Sequence, residues 1–117
     1  MTLIGAASLL LLSCIAAADD QQVLDTPRFH VIMIERCPED VVGCDDVLYR
    51  GRRKRDGQSI ELHGTAVMAA CKDGVTPCHM IMYRFCNGQY EYDVYPEGNL
   101  TVRRGNKELV SENGEWK

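Results

Sequence analysis

Apolar positions along the chain fall into short runs with turn formers between them. The runs are FHVIMIE, DVLYRGRRK, SIELHGTAVMAA, HMIMYRF, YEYDVY, NLTVRR and KELVSE. Between them stand RDGQ, DGVTP, NGQ, PEGN and RGN, each with a glycine where a turn calls for positive φ. Asp56-Gly57 and Asn87-Gly88 lie near the midpoints of two hairpins, and Asx-Gly is the strongest short-range hairpin signal. From Tyr90 through Tyr92 to Val94 the period is two, with Glu91 and Asp93 on the other face. In HMIMYRFC the same alternation groups His79, Ile81, Tyr83 and Phe85 against Met80, Met82, Arg84 and Cys86. No stretch sustains apolar spacing at i, i+3 and i+4, so no long helix is predicted, although PEDVVGCDDV has room for one helical turn. The pattern predicts an all-β domain of six to eight short strands. They form an antiparallel meander that closes into a small barrel or a two-layer sandwich.

The first eighteen residues differ from this pattern. MTLIGAASLLLLSCIAAA carries no charged side chain; its apolar core runs from Leu3 to Leu12, and Ala16-Ala17-Ala18 precede the polar DDQQ. An apolar run of that length suits a secretory signal and is too short to span a bilayer. No Lys or Arg precedes it, so only the α-amino group supplies positive charge. The expected organisation is a signal peptide at 1–18, a polar lead at 19–28 and a single β-domain at 29–117. LLSC, ending at Cys14, offers a second route in which that cysteine is lipidated; either route places the mature chain in the periplasm or outside the cell.

Export changes how the cysteines are read. Cys37 and Cys44 in CPEDVVGC, and Cys71 and Cys78 in CKDGVTPC, each enclose six residues with turn formers among them. In an oxidising compartment such spacings predict disulfides, Cys37–Cys44 and Cys71–Cys78, with crossed pairings between the two loops as the alternative. Cys86 is left over, either as a free thiol or in an intermolecular bridge, so the chain is expected as a monomer or a Cys86-linked dimer. No C-x2-C pair accompanies His30, His63 or His79, so neither a metal site nor a thioredoxin-like centre is expected, and no cofactor is implied.

Thirteen basic against seventeen acidic side chains, net −4, argue against a nucleic-acid-binding domain. The basic residues are nonetheless clustered: Arg50, Arg52, Arg53, Lys54 and Arg55 fall within RGRRKRDG. A hairpin tip of that composition is a candidate site for an acidic protein or an anionic envelope component, while its plainer role is to keep a sheet edge from pairing. RRKR also matches a convertase site and Asn99-Leu100-Thr101 a glycosylation sequon, both relevant only in a eukaryotic secretory pathway. Glu91 and Asp93, roughly 6–7 Å apart by strand rise, are a candidate acid/base pair for a small hydrolase. Only Ser59 and Ser111 follow the signal segment, neither in a nucleophile elbow, so no catalytic residue is assigned. Tyr83, Tyr90 and Tyr92 are expected in the core, with Tyr95 and Trp116 nearer a surface.

The ending GNLTVRRGNKELVSENG resembles the final hairpin of the bacterial membrane-bound inhibitors of c-type lysozyme, which are exported, cysteine-stapled β-barrels. The resemblance covers fewer than twenty residues. It implies a non-catalytic exported binding protein that inhibits or neutralises a lysozyme-like enzyme or a toxin in the cell envelope. A structural or lipid-anchored envelope protein is the alternative, with membrane contact only through a lipid on Cys14.

Overall fold

A computed structural model describes residues 20–117; the expected signal segment, Cys14 included, lies outside the described residues. The chain is all-β, with nine strands rather than six to eight: β1 (Asp20–Asp25), β2 (Phe29–Glu35), β3 (Val47–Arg53), β4 (Ser59–Ala70), β5 (Pro77–Asn87), β6 (Tyr90–Val94), β7 (Asn99–Arg104), β8 (Lys107–Asn113) and β9 (Glu115–Trp116). All pairings are antiparallel, in the order β8-β7-β6-β5-β4-β3-β2-β1-β9. The two outermost strands, β8 and β9, are consecutive in the chain and separated only by Gly114, so the meander is a nearly closed barrel.

Glycine makes that closure possible. At Gly114 the last strand leaves β7 and turns to β1, pairing Leu24 with Trp116 and Asp25 with Glu115. A Cβ on Gly114 would lie 2.7 Å from the Asp25 carbonyl oxygen and 2.8 Å from Thr26 Cγ2. Its amide donates to the Gly98 carbonyl at 2.8 Å, and Gly98 itself adopts φ 105°. Two backbones approach here more closely than side chains would allow.

The polar lead at 19–28 is not outside the domain: residues 20–25 form β1, which pairs with β2 along its whole length. Only Val23 and Leu24 are apolar there, yet Leu24 is fully buried. The core comprises inward side chains from seven strands, among them Leu24, Val31, Met33, Val47, Tyr49, Phe85, Val94 and Leu100. Tyr49 stacks at a tilt on Phe85 and Tyr92, with ring centroids at 5.0 and 5.6 Å.

Two sequence expectations about faces fail for local reasons, and the segment with room for a helical turn forms none. In β5 the pairing jumps from Val67↔Met82 to Met68↔Met80, so Ile81 is a bulge residue. Below it the phase reverses: Ile81 is exposed and Met80 packs on the core. Tyr83 is buried and Tyr92 packs on the core, but Tyr90, next to the β5–β6 turn, is exposed. Residues 36–46 hold no helical turn; a bond from the Val41 amide to the Pro38 carbonyl makes a tight turn inside the loop that Cys37–Cys44 closes.

An up-and-down meander puts alternate connections at opposite ends. The short turns at 26–28, 54–58, 88–89 and 105–106 surround one end, here the mouth. The loops at 36–46, 71–76 and 95–98 form the other, the floor. Both disulfides, Cys37–Cys44 and Cys71–Cys78, are at the floor, with Cα separations of 5.7 and 4.9 Å.

Candidate functional site at the barrel mouth

The charges separate along the barrel. Arg28, Arg53, Lys54, Arg55, Arg104 and Lys107 lie in or beside the mouth turns, with Asp25, Asp56 and Glu108 among them. Glu39, Asp40, Asp45, Asp46, Asp73 and Glu97 occupy the floor loops, with Arg36 and Lys72. A chain of modest net charge is therefore a dipole whose basic pole is the ring of hairpin turns.

The five clustered basic residues do not share one surface. In β3, Val47, Tyr49 and Gly51 point inward, so Arg50 and Arg52 stand on the outer wall, both exposed. Arg50 pairs with Glu61 across the strand at 2.9 Å. Arg53 ends the strand at the mouth, where its guanidinium meets both Asp56 carboxylate oxygens (3.0 and 2.7 Å) and Gln58 Oε1 (2.7 Å). Those bonds hold the Asp56 carboxyl down to about 2 and raise Arg53 above its usual value. Lys54 reaches over the β1–β2 turn to Asp25 and the Thr26 carbonyl, both at 2.7 Å. Arg52 and Arg55, like Arg104 and Lys107, have no hydrogen-bond or ion-pair partner among the described residues. Two of the five cations, Arg53 and Lys54, thus fasten the mouth, Arg50 is paired on the outer wall, and two are left for a partner.

Inside the ring lies a cavity of about 310 Å³, lined by Phe29, Tyr49, Gly51, Arg53, Gln58, Ser59, Ile60 and Tyr92. Tyr49 defines its floor. A Cβ on Gly51 would lie 2.6 Å from Tyr49 Cε1 and 2.8 Å from its hydroxyl oxygen. Gly51 is two residues nearer the mouth on the same inward face, so the ring lies along the strand with its hydroxyl toward the opening. Tyr49 is 1% exposed, yet no described residue hydrogen-bonds its hydroxyl. Burial, then the neighbouring Tyr92, pushes that hydroxyl well above the usual phenol range, so it stays a neutral O–H donor. A groove of about 500 Å³ bounded by Arg28, Phe29, Arg53, Lys54 and Arg55 adjoins the cavity along Phe29 and Arg53.

Sequence reasoning found the basic residues here and missed Phe29, Tyr49, Gly51 and Gln58. The available signal was Tyr49-x-Gly51 in a strand: a glycine two positions after an aromatic marks space that the ring needs.

The other candidates are engaged elsewhere. Asp93, expected to face solvent, is 2% exposed because Arg84 covers it with two bonds at 3.0 and 3.3 Å. Glu91 accepts from Arg103 at 2.8 Å and meets Arg84 at 3.3 Å. Burial raises Asp93 against the pull of Arg84, while Arg103 first of all lowers Glu91. Cys86 is a free thiol on the outer surface. Arg36 approaches His63 Nδ1 at 3.4 Å. No cluster of His, Cys, Asp or Glu suited to a metal occurs among the described residues, and no helix there is long and apolar enough to cross a membrane.

Comparison with protein-family models, characterised proteins and solved structures yields no match. The two disulfides are compatible with an oxidising, extracytoplasmic compartment.

Proposed function

We propose that the chain is an exported, non-catalytic binding protein that engages the acidic surface of a protein partner through the barrel mouth. The observation that carries this reading is the set of four basic side chains without partners, Arg52, Arg55, Arg104 and Lys107, on three strands and a turn of one end. Short hairpins with Gly57 (φ 76°) and Gly105 (φ 61°) hold the backbone behind them, so little order has to be gained on binding. The engagement of both Glu91 and Asp93 by guanidiniums favours binding over hydrolysis.

In its most specific form the partner is a lysozyme-like glycosidase in the cell envelope. Such enzymes place two carboxyl groups in a cleft. A projecting guanidinium such as Arg55, at the turn between β3 and β4, complements that charge. The direct test is binding to, and inhibition of, a c-type lysozyme at several ionic strengths, with the native protein and with Arg52→Ser/Arg55→Ser. The reading expects affinity that falls steeply with salt and a shallower dependence in the variant. An unchanged salt dependence in the variant removes the mouth from the interaction.

A further inference from the structure

We propose that the cavity inside the mouth is a binding site for a small planar carboxylate, with its ring between Phe29 and Tyr92 and its carboxylate on the Tyr49 hydroxyl. This inference does not rest on the partner reading, because the cavity lies inside the ring of turns and uses different side chains.

The chemistry follows from which groups remain unused. Tyr49 offers an O–H with no partner at the end of a side chain that is otherwise enclosed. Arg53 spends Nε and Nη2 on Asp56 and Gln58, which leaves the two N–H groups of Nη1. Gln58 accepts that bond through Oε1, so its amide nitrogen is left to donate. Ser59, at the rim, adds a hydroxyl. The lining therefore has donors to spare in Arg53 Nη1, the Gln58 amide and the two hydroxyls, while Gln58 Oε1 is already engaged by Arg53.

A site of that kind selects an acceptor-rich group, and an ionised acceptor is bound more strongly than a neutral one. Arg53, on the cavity lining, and Lys54 and Arg55 in the adjoining groove add a field of the same preference. The walls supply the other half of the ligand. Phe29, Tyr92 and Ile60 are partly buried aromatic and apolar surfaces. A volume of about 310 Å³ admits one or two fused rings, at the lower edge of ordinary ligand sites. Barrel mouths are a common place for such sites. The Tyr49 hydroxyl opens onto the cavity, where a ligand oxygen can take the place of water as its acceptor.

The test is calorimetric titration of the purified protein with 2-naphthoate, 2-naphthamide and naphthalene, repeated on Tyr49→Phe and Ser59→Ala. The expected order is naphthoate tightest, then the amide, then the hydrocarbon. Tyr49→Phe should weaken naphthoate about tenfold while leaving naphthalene within about twofold. Ser59→Ala, at the exposed rim, should act in the same direction with a smaller factor and keeps the core intact if the Tyr49 variant is destabilised. Equal affinity for the acid and the hydrocarbon, no binding of naphthoate at millimolar concentration, or no effect of either substitution on naphthoate would each overturn the proposal.

Discussion

At the floor of the barrel, the loop at 36–46 is tied by Cys37–Cys44 and lies against β4, where Cys44 accepts from the Ala66 amide. The loop at 71–76 is tied by Cys71–Cys78. At the mouth no covalent bond joins the hairpins. Lys54 laces the β3–β4 turn to Asp25 and Thr26, and Arg28 bridges the seam to Glu112 on β8. Covalent ties act whatever the pH and salt, whereas ion pairs near solvent weaken with both. The difference assigns roles: the floor constrains the chain, and the mouth presents groups that a ligand can rearrange.

Breaking the floor should have the largest effect on stability. Each bridge closes a loop of about eight residues, for which the chain-entropy model gives about 2.5 kcal/mol. Cys37→Ser/Cys44→Ser is expected to lower the unfolding free energy in urea by that amount, with naphthoate binding at the mouth unchanged. Next comes the seam. Gly114→Ala places a methyl group against the Asp25 carbonyl and Thr26, and should cost about 1–3 kcal/mol by the same titration, since the contact is with backbone.

Acid sharpens the contrast further. Burial pushes the Glu112 carboxyl up, but bonds from Arg28 and Thr26 outweigh it and hold it below the ordinary value of 4.5. A lowered folded value means stability that is present above pH 4.5 and lost as pH falls through the lowered value. Asp93 has the opposite sign: its raised value favours the fold at low pH, a contribution lost as pH rises through it. Glu112→Gln should therefore flatten the acid limb of the stability curve, and Asp93→Asn should not. The smallest effect on stability belongs to Arg52→Ser/Arg55→Ser, within about 0.5 kcal/mol, because both side chains are exposed and unpartnered. That pair should change only the salt dependence of partner binding.

Much of this fold was legible from local pattern. SIELHGTAVMAA and NLTVRR coincide with β4 (Ser59–Ala70) and β7 (Asn99–Arg104), because each begins with polar-apolar alternation and is bounded by Gly-containing turns. The two bridges followed from spacing and turn content. What escaped was non-local. β1 has only two apolar residues in sequence and is a strand because β2 and β9 flank it. Ile81 and Met80 exchange faces at a bulge that period-two counting cannot register. Asp93 reads as a surface acid and is covered by Arg84 from the adjacent strand. At the site, the basic residues were visible as a cluster and the Arg53–Asp56 pair is local to one turn, but the pairing with Asp25 and Glu61 depends on how the strands align, as does the cavity behind them.

The proposed sites place ligands at the mouth and not at the floor. The floor end has a cavity of its own, about 370 Å³, bordered by Gln22, Met80, Tyr83 and Trp116, so the choice is a real one. Backbone amide NMR of the protein titrated with 2-naphthoate tests it directly. Shifts are expected to centre on Phe29, Gly51, Ser59 and Tyr92, with the Trp116 indole resonance unmoved. Shifts centred on Gln22, Met80 and Trp116 would contradict it.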